Sequence, residues 1–95
     1  MKTDYILAHE QGHFDITEIF ARKLNKEMSN YKFNKKTFEK DLSKIYQSVM
    51  QDKEDFQNQY DRETNHSIKK EEQAKWLKKI DELLEEYEDY ADYNS

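Results

Sequence analysis

The chain has 95 residues, 39% of them charged and 35% apolar, with one glycine, no proline, no cysteine and a formal net charge of -5. That length allows one domain with little stability to spare. The composition argues against a sheet-rich fold, removes disulfides and cysteine-type zinc sites, offers no basic stripe for nucleic acid, and contains no signal peptide or membrane span.

The pattern predicts a first helix over about 4–28, capped by Thr3 or Asp4, with Lys23 and Lys26 near its C-terminal end. It carries His9-Glu10-Gln11-Gly12-His13, an H-E-x-x-H sequence. In a helix, positions i and i+4 lie about 40° apart on one face, one turn above each other. Two imidazoles so placed can bind one small cation without moving the backbone. Glu10 flanks that face and is placed to take a proton from a metal-bound water rather than to bind the metal. Coincidence is the bland alternative, expected in roughly 1–2% of chains this long. The helix is apolar nearly all round: Ile6, Ile16 and Phe20 lie on the histidine side, Leu7, Phe14 and Ala21 on another, Ala8 and Ile19 on a third. Only Asp15, Glu18 and Arg22 mark a narrow polar strip. A helix of this kind is surrounded by protein. Two further helices do not easily cover it, so a second copy of the chain or an N-terminal layer is expected there. Met1 stands almost at the start of the motif helix, which points to a partial chain. Gly12 costs roughly 1 kcal/mol against Ala in mid-helix; with Ala8 on the same side, close packing of another element is the main reading, and backbone access for a substrate the minor one.

The pattern breaks from Ser29 to Asn34, and Asn34 is a plausible cap for a second helix over about 35–60. Phe38, Leu42, Ile45, Val49, Phe56 and Tyr60 recur there at helical spacing, with Tyr46 beside them. Asp61 to Ser67 reads as a polar connection containing His66, the third and last histidine. A lone loop histidine is usually a surface residue, but a catalytic zinc site takes three protein ligands and leaves the fourth position to water. His66 therefore ranks ahead of Glu63 and Asp61 as the third ligand, on ligand type alone. A third helix over about 69–91 follows, with Ser67 or Ile68 at its entrance and Trp76, Leu77, Ile80, Leu83, Leu84 and Tyr87 as its apolar stripe. Glu71 and Lys75 form a supporting i,i+4 pair. From Glu82 to Ser95 there are six acidic and no basic residues, an end that opposes the helix dipole and should fray.

The segments His9 to Ile16, Ala21-Arg22-Lys23-Leu24, Tyr60 to His66, and Glu71-Glu72-Gln73 with Trp76 resemble, in order and with matching intervals, the bacterial domain-of-unknown-function family 922. The likeness spans about residues 5–80. It implies a secreted or periplasmic zinc-dependent protease with a zincin-like site: His9 and His13 as ligands, Glu10 as general base, and His66, which closes the second block, favoured as third ligand. Members of that family are longer, with a secretion signal and an N-terminal region expected to form strands; this chain departs from them in both, so the expectation is a chain that keeps metal binding with weak or lost proteolysis. Ile16 and Ile19 occupy the positions where metzincins have Gly and His, so the pattern is not theirs.

The expected fold is all-α, one domain over 1–95, three long helices with the H-E-x-x-H helix central; the alternative is the helical part of a larger α+β zincin-like fold. The expected function is a zinc metallopeptidase acting on a peptide or protein substrate, with Zn2+ on His9, His13 and His66, Glu10 as base, and Tyr60 a minor candidate for oxyanion donor beside its plainer reading as a packed helix-end tyrosine. Asp15 points away from His13 by about 160° and is expected to bond a neighbouring element. The rival reading is a noncatalytic helical module, either a structural zinc site or an interaction domain.

Overall fold

A computed structural model of the protein describes residues 2–65 and 68–91, with side chains from Asp4 onward. Three helices, α1 (Lys2–Asn30), α2 (Phe38–Thr64) and α3 (Lys70–Glu86), are followed by a 3-10 turn at Glu88–Tyr90. No strand occurs among the described residues, so the all-α expectation holds. α1 packs against both other helices and against the 3-10 turn.

One core joins the three helices. Ile16, Ile19 and Phe20 come from α1, Val49 and Tyr60 from α2, Trp76 and Ile80 from α3, and all are buried. Ile16, Ile19 and Phe20 follow the i, i+3, i+4 recurrence, Trp76 and Ile80 are four apart, and Val49 and Tyr60 are eleven apart, about three turns, so each helix turns a single face inward. Phe56 continues the core as an aromatic chain, with ring centroids 5.5 Å from Phe20 and 5.3 Å from Trp76. Trp76 in turn lies 5.5 Å from Tyr60. Each fully buried aliphatic side chain contributes about 1.5–3 kcal/mol, which is how a chain with so few apolar residues holds three helices together.

The outer side of α1 stays open. Ile6 is 53%, Leu7 62% and Phe14 77% exposed. α2 and α3 thus leave this apolar face uncovered, as the all-round pattern of α1 led one to expect. The strip expected to be merely polar has a structural use instead. Arg22 pairs with Glu18 at 2.7 Å and donates at 2.5 Å to the carbonyl of Leu84. Asn25 donates to the carbonyl of Tyr90 at 3.0 Å. These bonds satisfy carbonyls that a helix end leaves without partners, so α1 holds the C-terminal end of α3.

Several boundaries differ from the sequence pattern. α1 is helical from Lys2, so Thr3 and Asp4 lie inside it rather than capping it. α2 begins at Phe38, with Thr37 in the N-cap position three residues after the expected cap. Asn34 builds the preceding turn: its Oδ1 accepts from the Lys36 amide at 3.0 Å, and its carbonyl accepts from the amides of Thr37 and Phe38. Asp41 holds the junction by accepting from the Tyr31 hydroxyl at 2.6 Å and the Thr37 hydroxyl at 2.7 Å. At its far end α2 runs on through Thr64, so Asp61 to Thr64 are helical and not a loop. The polar residues there mislead because Thr64 is fully buried and returns its hydroxyl to the Tyr60 carbonyl at 2.7 Å. Asn65 ends the helix in the left-handed conformation, φ 47 and ψ 52, which Asn tolerates better than other non-glycine residues. Lys69 takes the N-cap position of α3, within a residue of the expected start, with Ile68 just before it; Ser67 lies outside the described residues. Lys75 pairs with Glu72 at 3.5 Å rather than with Glu71. α3 stops at Glu86 and tightens into the 3-10 turn, short of the expected 91, where acidic side chains oppose the dipole.

Candidate metal centre

The two histidines of α1 face α2. Both Nε2 atoms converge on one oxygen of Asp61: His9 Nε2 lies 2.8 Å and His13 Nε2 2.7 Å from Oδ1. The donor atoms of His9, His13 and Asp61 all lie within 4.8 Å of one another. Ligands around one tetrahedral zinc sit about 3.3 Å apart; the two His–Asp contacts are at hydrogen-bond distance, so a small cation fits here only if they open by about half an ångström. The chemistry fits as well, since two imidazoles and a carboxylate form a common catalytic zinc ligand set. His9 is buried, while the His13 and Asp61 side chains are 25% and 30% exposed, so the cluster opens to one side.

The helical continuation of α2 explains why Asp61 is the residue that arrives. Asp61 follows the buried Tyr60 and sits four residues after Gln57, which also faces His13. Glu63, the other acidic candidate in this segment, is turned away. Its carboxylate accepts from Trp76 Nε1 at 3.0 Å and from Gln59 Nε2 at 2.7 Å, and these bonds hold its pKa below the ordinary glutamate value. The carboxylate of Glu63 is accordingly not among the donor atoms that converge here. His66 lies outside the described residues.

Tyr60 is the floor of the site. Its ring stacks on His9 at 4.6 Å with 15° between planes and meets His13 edge-on at 4.9 Å. Its hydroxyl donates to the His9 carbonyl at 3.0 Å. The phenol is wholly buried, which, with the nearby charges of Asp61, Glu10 and Asp15, pushes its pKa up to about 12. Tyr60 is thus the packed helix-end tyrosine of the plainer reading, committed to a backbone carbonyl rather than free to bind an oxyanion. It also explains Gly12: a methyl there would fall within 2.7 Å of Tyr60 Cζ. Close packing, the main reading of that glycine, is what the fold uses it for. Asp15 does not bond a neighbouring element through the contact seen; it accepts from Gln11 Nε2 at 2.9 Å on its own helix.

Burial works to raise the pKa of Asp61, but the hydrogen bonds from His9 and His13 prevail and hold it below the usual aspartate value. Two glutamines complete the surroundings, and sequence reasoning missed both. Gln73 Oε1 lies 3.1 Å from His9 Nδ1, and Gln57 Oε1 contacts His13 Nδ1. The signal for Gln73 was available: it precedes Trp76 by three and Ile80 by seven, a polar residue on the apolar stripe of α3. Gln57 carried a weaker one, four residues before Asp61 on the same face.

A family model described as a bacterial protein of unknown function, DUF922, matches residues 2–67. The chain belongs to this family. Its matched segment carries His9, Glu10, His13, Gln57 and Asp61, whereas Gln73 lies beyond it. No curated protein and no solved structure gives a significant match.

Proposed function

We propose that the DUF922 chain is a zinc-dependent hydrolase acting on peptide bonds, with His9, His13 and Asp61 as metal ligands. The observation that supports this reading is the convergence of two Nε2 atoms and one carboxylate oxygen on a point open to one side. A zinc ion held by these three residues would supply Lewis acidity, for acidifying water and polarising a carbonyl. The chain's own residues do the rest. Tyr60 holds the backbone and ring of His9 in place. Glu10 is exposed, next to His9 in sequence and on the flank of the histidine face. It takes a proton from the attacking water and passes it to the leaving amine, the role that general base catalysis asks of a nearby carboxylate. A partly exposed three-ligand set leaves room for water and substrate, which a closed four-ligand structural site does not. Secretion or a periplasmic location belongs to the same proposal, through the family likeness. No helix among the described residues is long and apolar enough to cross a membrane.

The test is zinc titration by calorimetry on metal-free protein, followed by a peptide-cleavage assay. Tight one-to-one binding is expected, strongly weakened in Asp61→Ala. Glu10→Gln is expected to keep the metal and lose hydrolysis. Equal cleavage by wild type and Glu10→Gln would sink the catalytic role; unchanged affinity in Asp61→Ala beside a loss in His66→Ala would return the third position to His66. One observation favours the rival reading of an interaction module: the exposed Ile6, Leu7 and Phe14 beside the motif. On that reading the chain binds no metal tightly and associates through this face, by self-association or with a partner, which sedimentation at several concentrations and partner titrations would register.

A further inference from the structure

Each imidazole of the cluster carries a carboxamide on the nitrogen that faces away from Asp61. We infer that Gln57 and Gln73 are positioning residues that turn the Nε2 atoms of His13 and His9 toward a divalent cation. The inference rests on the metal reading above and extends it to residues of α2 and α3.

The argument is one of donors and acceptors. The two ends of a glutamine amide differ: NH2 donates and Oε1 accepts. Gln73 Nε2 donates to the Tyr5 carbonyl at 3.2 Å. Gln57 Nε2 donates to the His13 carbonyl at 3.1 Å and to Thr17 Oγ1 at 3.2 Å. A carbonyl can only accept, so both amides are fixed in orientation and Oε1 is the end that meets each ring. Oε1 cannot donate, so each Nδ1 must carry the hydrogen. A neutral imidazole has one N–H. Between each Nε2 and Asp61 Oδ1, both within hydrogen-bond distance, lies either a proton, as in the bonds described above, or a cation. With a cation there, the single N–H of the neutral ring stays on Nδ1, where Oε1 accepts it, and the Nε2 lone pair is free to ligate.

The arrangement is made twice, from different helices. The pair His9–Gln73 is buried, whereas His13–Gln57 is half-buried. Gln57 grips one residue at two points, the ring and the backbone carbonyl of His13. Partners of this kind fix the tautomer and orientation of metal-ligating histidines, and their loss typically weakens metal binding 10–100-fold.

The experiment uses the full chain, zinc in competition with a chelator, and the ring nitrogen shifts of 15N-labelled histidines. In zinc-loaded wild type both rings are expected to show protonated Nδ1 and metal-bound Nε2. Gln57→Leu and Gln73→Leu should each lose about 10–100-fold in zinc affinity. Gln57→Glu and Gln73→Glu keep an oxygen acceptor on the ring and should recover most of it. Leu variants with wild-type affinity and unchanged ring shifts would overturn the inference and leave the metal reading intact. Equal losses in the Leu and Glu variants would overturn it too, because only helix bracing would then be involved. If the buried Gln73 variants fail to fold, the half-buried Gln57 pair decides. If wild type binds no zinc, both the metal reading and this inference fall.

Discussion

Gly12→Ala sets two opposing effects against each other, and the structure decides between them. On helix propensity alone, alanine stabilises a mid-helix position by about 1 kcal/mol over glycine. The added methyl, however, would meet the Tyr60 ring, with Cζ at 2.7 Å and Cε2 at 3.2 Å. Tyr60 has nowhere to retreat. It is fully buried, stacked on His9 and packed against Trp76. Forcing an extra methyl into such a place costs about 1–3 kcal/mol. Displacing the phenol also breaks its bond to the His9 carbonyl, worth about 1 kcal/mol. The net expectation is a loss of about 1–3 kcal/mol, or a fall in Tm of about 4–8 °C for each kcal/mol in a domain of this size. Urea denaturation followed by circular dichroism measures it. Tyr60→Phe removes the hydroxyl oxygen, the atom closest to the added methyl, so in that background part of the cost should vanish as a non-additive coupling. A midpoint equal to wild type or higher would refute the reasoning, because propensity would then outweigh the contact.

Ile80→Ala should cost about 2–5 kcal/mol by opening a cavity at a wholly buried position of α3; a loss below about 1 kcal/mol in urea titration would mean that α3 docks more loosely than described. Glu63→Ala should leave zinc affinity unchanged while shifting the fluorescence of Trp76, whose indole N–H it accepts; a loss of affinity would reinstate Glu63 as a ligand. The Tyr31–Asp41 bond should shape both limbs of the stability–pH curve. Asp41 is held below the ordinary carboxylate range, first by Tyr31 and then by Thr37. Its contribution is therefore full above the unfolded value and lost as pH falls through the depressed folded one. The Tyr31 phenol is raised, chiefly by the same bond, so its contribution is full below the unfolded value and lost as pH rises through the folded one. Asp41→Asn should flatten both limbs in urea midpoints measured across pH; superimposable curves would count against the bond.

How much of this the sequence revealed depends on distance along the chain. The core was readable because Ile16, Val49, Trp76 and Ile80 repeat with the helical period, a local property. The H-E-x-x-H pair was readable for the same reason, since i and i+4 share a face. The third member of the cluster was harder. Asp61 to Thr64 looks like a loop because its residues are polar, and a loop frees every side chain equally. Once α2 is continued through Thr64, the helix singles out Asp61 and turns Glu63 toward Trp76. That extension depends on the burial of Thr64, a tertiary fact. Gln73 was hidden differently: its partner is 64 positions away, and a single polar residue in an apolar stripe does not say which nitrogen it will meet. Arg22 shows the same limit, since its bond to the Leu84 carbonyl follows from where α3 ends.

The cluster draws on all three helices: His9 and His13 on α1, Asp61 and Gln57 on α2, Gln73 on α3. Secondary structure and the site are consequently separable quantities. A compact state that kept its helices but loosened their docking would retain its far-ultraviolet signal and still disperse these five side chains. Helix content is then a poor proxy for an intact centre in any variant or fragment of this chain. The exchange protection of the Gln73 and His9 amide region, or the near-ultraviolet signal of Tyr60 and Trp76, reports the assembled state directly.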